Sequence, residues 1–329
     1  GGNGSSPPKP TFPYTWVSEA QLDLNARYLV KGLIEPGSFN LIFGPSGSGK
    51  SFFTADLAQH IATGQSWRGK KVNQALVVYI ASEAGASIIK RFIAWRDNRI
   101  GESAECIPLA VITRSPNLIG GTDGEKLKEQ LAYMQDEAKL PVGWVVFDTL
   151  SRAIPGGDEN NAEDMTQVIG HADDLRETFK CSTGFVHHSG KDVTAGARGH
   201  SSLFAAADLV IRVSDRLGVV EKVRDGVSGE TFPFSLEPVD LGTDADGDDV
   251  TSCLLSHEGT SMPTKPNLKG IGKNQRLVLE YLRPLIRETG VKNSGTSVIP
   301  AGVLVASFEA LCDRMQPLYT GEVTPEGFD

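Results

Sequence analysis

The chain has 329 residues, 40% hydrophobic and 22% charged, an ordinary globular composition that excludes wholesale disorder and leaves room for about two domains. Its 41 acidic against 32 basic residues give a net charge of -9, which argues against a broadly basic, nucleic-acid-coating surface but leaves room for a local basic channel. The 4 cysteines, Cys106, Cys181, Cys253 and Cys312, form no CxxC pair; this excludes a zinc ribbon or thioredoxin-type motif and suits a reducing cytoplasm.

Residues 1–13, GGNGSSPPKPTFP, read as a flexible linker with no core to join. They hold no apolar core of a secretory signal, and no later apolar run approaches the roughly 20 residues of a membrane span, so a cytoplasmic protein without membrane contact is expected. Opening on Gly1 is expected of a processed fragment. The run NLIF ends a strand at Gly44, and a helix over Lys50–Ala62 has Phe53, Leu57, Ala58 and Ile61 at helical spacing, with Gly64 as C-cap. Ala75–Ala81 is an unbroken apolar run, as a buried parallel strand would be. Residues 84–99 read as helix and Ile107–Ile112 as strand. Thr122 and Glu125 form a T-x-x-E capping box opening a helix to Lys139.

Gly143–Leu150 is the next strand, 162–179 a helix and Ser182–His188 another strand. Asp208–Val213, Gly218–Arg224 and Glu230–Leu236 read as later strands, the last two meeting at a tight turn, Asp225-Gly226. Strand–helix alternation implies an α/β fold with a mainly parallel sheet and an antiparallel edge hairpin. The pattern divides into a domain over 14–260 and a linker with a small helical appendage over 261–329. Helices are expected there at Gln275–Glu288, broken by Pro284, and Ala301–Met315.

Gly44, Pro45, Ser46, Gly47, Ser48, Gly49, Lys50 and Ser51 fit G-x-x-x-x-G-K-[ST] in full, after a strand and before a helix. In this pattern the glycines let backbone N–H groups curl around a phosphate, and Lys50 brings a cation to the β- and γ-phosphates. Ser51 offers a hydroxyl to Mg²⁺, and the helix N-terminus favours the anion. ATP and Mg²⁺ are the expected ligands. Asp148, closing WVVFD, is the expected second Mg²⁺ residue. Thr149 rather than Glu follows it, so the catalytic base must come from elsewhere. Glu83 after ALVVYIA is the first choice, because the strand C-termini of a parallel sheet open on one crevice; Glu159 and Glu163 are weaker rivals. His187 and His188 end a third strand. Neighbours on a strand point to opposite faces, so they chelate one ion poorly; His188 is expected to be polar and able to sense the γ-phosphate, His187 partly packed.

GPSGSGKS, YIASE, VVFDTL, and FVHHSGKD followed by GARGHSSLFAAAD resemble the RecA-like core of hexameric replicative helicases, above all plasmid RepA-type and related phage and prophage helicase or primase-helicase ATPases. The resemblance runs over Trp16 to His257 and includes the entry segments WVSEAQL and YLVKGLIEPGSFNLI. It implies a RecA-like P-loop core over 14–260 and a Mg²⁺-dependent ATP hydrolase forming a hexameric homo-oligomer. ATP would sit at subunit interfaces and single-stranded DNA in the channel, with a primase or other replication proteins as further partners. The function implied is that of an ATP-dependent DNA helicase in plasmid, phage or prophage replication.

The resemblance assigns the P-loop to Gly44–Ser51, the base to Glu83, the Mg²⁺-coupled carboxylate to Asp148 and the sensor to His188. Arg198 matches a position acting across the interface, and Lys222-x-Arg224 resembles the finger motif of DnaB-type helicases. Residues two apart on a strand project from one face, so Lys222 and Arg224 can converge on one anion; charges guarding an edge strand are the plainer reading. Arg198 and Lys222/Arg224 compete for the finger role. Lys191, Arg198 and His200 are the nucleic-acid candidates on the loop after the sensor strand, while the loop after Asp148 is acidic and neither loop has an aromatic for base stacking. The tail, KGIGKNQRLVLEYL and a second helix, resembles a winged-helix or helix-turn-helix appendage, or a plain helical pair. Two rivals keep a P-loop: a non-unwinding, ATP-switched DNA-binding or assembly ATPase, and a small-molecule kinase, for which no lid segment is evident.

Overall fold

The computed structural model describes residues 14–21, 28–83, 85–101, 107–188, 201–224 and 226–257, and in the C-terminal part 278, 281, 282, 284–286, 288–292 and 304–315. The chain divides into two compact units, Gly1–Met262 and Pro263–Asp329.

In the first unit strands and helices alternate: β1 (Phe39–Gly44), α1 (Lys50–Thr63), β2 (Leu76–Ala81), α2 (Gly85–Trp95) running into a π-helical turn (Arg96–Ile100), β3 (Leu109–Ile112), α3 (Asp123–Ala138), β4 (Val142–Asp148), α4 (Leu150–Ala153), α5 (Ala162–Phe179) and β5 (Ser182–His188). Then come α6 (Ser201–Ala206), β6 (Leu209–Ser214), β7 (Leu217–Val223), β8 (Thr231–Pro233), β9 (Ser235–Thr243) and β10 (Asp249–Ser256). One sheet takes the order β3-β2-β4-β5-β1-β6-β7-β8. The strands from β3 to β6 are parallel, and β7 runs antiparallel to both neighbours. This is the α/β fold with a mainly parallel sheet and an antiparallel edge expected from the sequence.

The central strands are apolar without a break because both sheet faces are covered. Successive side chains go to opposite sides: Ile42, Val77, Tyr79, Trp144 and Val146 join Phe53, Leu57 and Ile61 of α1, while Leu41, Phe43, Val78, Val145 and Phe147 join Leu131 of α3 and Val168 and Leu175 of α5. Gly64 caps α1 in the left-handed conformation, its N–H donating to the Ile61 carbonyl.

Three local expectations are corrected. Thr122 does precede α3, but its side chain makes no capping hydrogen bond. Asp123 fixes the helix entry instead, accepting from the Asn117 N–H at 3.2 Å. The stretch Glu230–Leu236 is not one strand: β8 ends at Pro233, which has no N–H for a continuing ladder, and β9 leaves to pair with β10 in a separate two-stranded sheet. The tight two-residue turn lies between β6 and β7, at Asp215 and Arg216, both with positive φ (51° and 62°). β7 and β8 do pair, but across a longer connection; Asp225 of the expected turn lies outside the described residues.

In the second unit β11 (Val291–Lys292) pairs with β12 (Leu304–Val305), and α7 spans Phe308–Met315, shorter than the helix expected from Ala301. Within Gln275–Glu288 the described residues 278, 281, 282, 284–286 and 288 are helical. Leu285, Leu311 and Met315 form the buried cluster of this unit.

Candidate active site

Strand pairing brings distant motifs into one row. Gly44 of β1 pairs with His188 of β5, Asp148 of β4 pairs with Val186, and Ala81 of β2 pairs with Asp148. The Ser82 N–H donates to the Asp148 carbonyl at 2.8 Å, which turns the chain so that Glu83 stands beside the ends of β4 and β5. The result is a cleft of about 270 Å³ lined by P-loop residues with Glu83, Arg91, Thr149, His188 and Arg216.

The P-loop is shaped by close approach. A Cβ on Gly44 would overlap the Val213 carbonyl oxygen, and one on Gly49, which has φ 101°, would meet Arg216 and Phe234. Lys50 opens α1 and is buried; its ammonium donates to the Gly44 carbonyl at 3.0 Å and the Pro45 carbonyl at 2.8 Å. It also lies 3.2 Å from His188 Nδ1. An ammonium only donates, so Nδ1 accepts and the ring proton sits on Nε2. That Nε2 faces Glu83 Oε2 at 3.8 Å. His188 therefore links the phosphate-directed cation to the carboxylate expected to act as base. Glu83 also stands 3.8 Å from the Arg152 guanidinium.

Burial lowers the Lys50 pKa below its ordinary value, opposed by the carboxylates of Asp148 and Glu83. Burial raises the Asp148 pKa, opposed by hydrogen bonds from Tyr79 and Ser51 and by the charge of Arg91, while Glu83 pushes it further up. The Tyr79 hydroxyl donates to Asp148 Oδ2 at 2.6 Å. Burial and this carboxylate hold the Tyr79 pKa well above its usual value, so the phenol stays protonated as a donor.

The residues fit a magnesium nucleotide. The Ser48 hydroxyl is buried in the loop and, among the described residues, lacks a hydrogen-bond partner. Among the described residues, Lys50 is hydrogen-bonded to two carbonyls and an imidazole, groups a phosphate can replace. The Ser51 hydroxyl stands close enough to lower the Asp148 pKa, which puts two oxygen ligands side by side for one hard cation.

Other expected residues fall elsewhere. His187 is fully buried on the opposite face, with its Nδ1 3.6 Å from Glu159, so that rival base serves a different neighbourhood. Glu163 lies at the exposed start of α5, its N–H bonded to Asn161 Oδ1. Lys222 and Arg224 stand at the far end of β7, away from this chain's own P-loop: β7 starts next to Ser214 and ends beside Leu209. There the Lys222 ammonium donates to the Phe204 and Ala205 carbonyls of α6 at 3.0 and 2.9 Å. Arg224 pairs with Asp208 at 2.9 Å yet stays 65% exposed. Lys191, Arg198 and His200 lie outside the described residues.

Two cations of the cleft were not foreseen. Arg216 reaches the P-loop from the β6–β7 turn, its guanidinium 5.9 Å from the Phe234 ring. An Asp-Arg pair carries no glycine or asparagine to announce a positive-φ turn, so nothing in the sequence marked it. Arg91 packs on Phe52 with its guanidinium 3.8 Å from the ring centroid. Its sign was only a basic residue in α2, the helix that follows Glu83.

A family model described as an AAA domain matches residues 9–193. The chain belongs to the AAA domain family. The matched span takes in the P-loop motif, Glu83, Asp148 and His188, so the candidate site lies inside the family's own segment. No curated protein matches the chain. Among solved structures, it is similar to an ATPase domain at 14% identity and a TM-score of 0.45, covering 65% of this chain and 84% of that one. It is also similar to a KaiC-like protein from Pyrococcus horikoshii OT3, at 15% identity and a TM-score of 0.43, covering 64% and 90%. Among the described residues no helix is long and apolar enough to cross a membrane.

Proposed function

We propose that this AAA domain is the motor of a ring-forming, ATP-dependent DNA helicase of plasmid, phage or prophage replication. The observation that carries the reading is the convergence of Lys50, Glu83 and His188 on one cleft at the carboxyl ends of the parallel strands, with Asp148 buried behind it at the end of β4. ATP binds with its phosphates in the P-loop, drawing Lys50 from the Gly44 and Pro45 carbonyls. Arg216 adds a second cation from the same subunit. Ser51 and Asp148 would hold Mg²⁺, which when bound neutralises phosphate charge. Glu83 takes a proton from the attacking water as its oxygen bonds to the γ-phosphorus and the bond to the β-phosphate oxygen breaks, releasing ADP and phosphate. His188 loses its contact with Lys50 when a γ-phosphate draws that cation away, so it reports the nucleotide state to Glu83.

The second half of the site comes from a neighbouring subunit. Lys222 and Arg224, or Arg198, reach the γ-phosphate across the interface. The far-end position of Lys222 and Arg224 supports this, because they are out of reach of their own P-loop. Domain boundaries near residue 260 and channel contacts by Lys191, Arg198 and His200 belong to the same reading.

The test is steady-state ATP turnover with and without single-stranded DNA, alongside strand separation on a forked duplex. The expected result is DNA-stimulated turnover with unwinding. Stimulated turnover without unwinding would favour an ATP-switched DNA-binding or assembly protein, and no response to DNA would remove the nucleic-acid reading.

A further inference from the structure

Outside the nucleotide cleft, α1 carries a second cluster. Asp56 and His60 lie one helical turn apart on one face of α1, and both meet His257, just beyond β10. Asp56 Oδ2 is 2.8 Å from His257 Nε2 and accepts from the Trp67 indole N–H at 2.7 Å. Its Oδ1 is 3.7 Å from His60 Nδ1. One donor atom from each of the three residues lies within 4.8 Å of the other two. The imidazoles face each other with centroids 5.2 Å apart. The cluster opens on a cavity of about 450 Å³ whose wall also includes Arg99 and Glu237.

Nothing in ATP chemistry uses these groups. They bring a carboxylate and two imidazoles within reach of one ion. His60 Nδ1 lies 2.8 Å from the Asp56 backbone carbonyl, which can only accept, so Nδ1 carries the ring proton and Nε2 offers the lone pair. Asp56 supplies one negative charge, and the Trp67 N–H fixes that carboxylate as outer partners fix metal ligands. Two imidazoles and a carboxylate select a borderline divalent ion such as Zn²⁺ over Mg²⁺, which prefers an all-oxygen octahedron. The nearby cations are Arg99 on the cavity wall, opposed by Glu237, and Arg68, which is held at the Pro233 carbonyl by a 2.8 Å bond.

We infer that Asp56, His60 and His257 form a Zn²⁺-binding site, completed by water from the cavity, that clamps the end of β10 to the P-loop helix. Bound metal fixes the carboxyl-terminal half of the helix whose first turn holds the phosphates. The clamp is independent of the catalytic reading.

The experiment uses the full chain, stripped with a chelator and kept in constant Mg²⁺. Calorimetric titration with Zn²⁺ should give one ion per chain. The unfolding midpoint should rise by about 5–10 °C at roughly 100-fold excess over Kd. Co²⁺ in place of Zn²⁺ should show the visible absorption of a low-coordinate site. His257→Gln, at the most exposed ligand, should abolish all three while leaving the metal-free midpoint within about 2 °C, and His60→Gln should do the same to binding. No stoichiometric Zn²⁺ binding by the wild type, or equal binding by His257→Gln, would overturn the site.

Discussion

The two ends of the main sheet make opposite use of charge. At the carboxyl ends of β1, β2, β4 and β5, Lys50 and His188 line a cleft and are held by groups that a nucleotide can displace, with Asp148 buried behind them on the Tyr79 hydroxyl. At the other end, Lys222 and Arg224 are tied to carbonyls of α6 and to Asp208, and Arg224 is mostly in solvent. Lys50 and Asp148 are preorganised by burial, which lowers the pKa of the first and raises that of the second. The second set gains little from its contacts, because an exposed ion pair contributes roughly 0–1 kcal/mol. One end is complete for binding within a single chain, while the other is a cationic edge whose work would have to be done on a partner.

That contrast can be broken at several points. Lys50→Ala should have the largest effect: turnover falls by roughly 10³-fold or more, the scale on which a phosphate-directed cation is felt. A phosphate-release assay on protein with unchanged circular dichroism checks it. Next comes the far end. Arg224→Ala should lower turnover by about 10³-fold if it acts in trans. Mixing it with Lys50→Ala should restore part of the activity, since some interfaces then join an intact P-loop to an intact finger. No recovery in confirmed mixed oligomers would leave Arg198 as the finger.

Asp148→Asn sharpens the comparison from the side of stability. Burial raises the folded-state pKa of Asp148, so the native state binds this proton more tightly than the unfolded chain. The fold therefore loses stability as pH rises from the ordinary carboxylate pKa through the raised one, and the penalty is complete above it. Without nucleotide or Mg²⁺, Asp148→Asn should melt about 2–4 °C higher at pH 7, equivalent to about 1 kcal/mol, and no higher below pH 4. It should turn over little ATP. Arg216→Ala should be milder, raising the ATP KM by about 5–10-fold, near 1 kcal/mol of binding, with kcat nearly unchanged. The smallest effect is on the stability of Arg224→Ala, whose melting point should stay within about 2 °C of wild type.

The same contrast explains what the sequence made legible. The cleft is built from strand C-termini, and each motif sits at the end of an apolar run: FNLIFG, LVVYIA, VGWVVFD and STGFVHH. Parallel strands buried on both faces leave such runs, and their pairing follows from the fold class, so Glu83, Asp148 and His188 could be read in one dimension. The edge was harder. Its tight turn uses Asp215 and Arg216, a pair without the glycine or asparagine that usually takes positive φ, so it did not stand out. Arg216 was missed for that reason. The Asp56–His60–His257 cluster was missed because its third member arrives just beyond β10, a strand outside the elements read from the sequence. Thr122 shows the remaining limit: a capping-box spelling fixes where α3 begins but not which side chain caps it.

The central claim is that Glu83, not the P-loop, supplies the chemical step. The most direct measurement is single-turnover hydrolysis by Glu83→Gln, paired with the Kd of a fluorescent ATP analogue. A rate loss of roughly 10²–10⁴-fold, the worth of a general base, is expected, with Kd within about threefold of wild type. Hydrolysis at the wild-type rate, or a loss traced wholly to weakened binding, would contradict it.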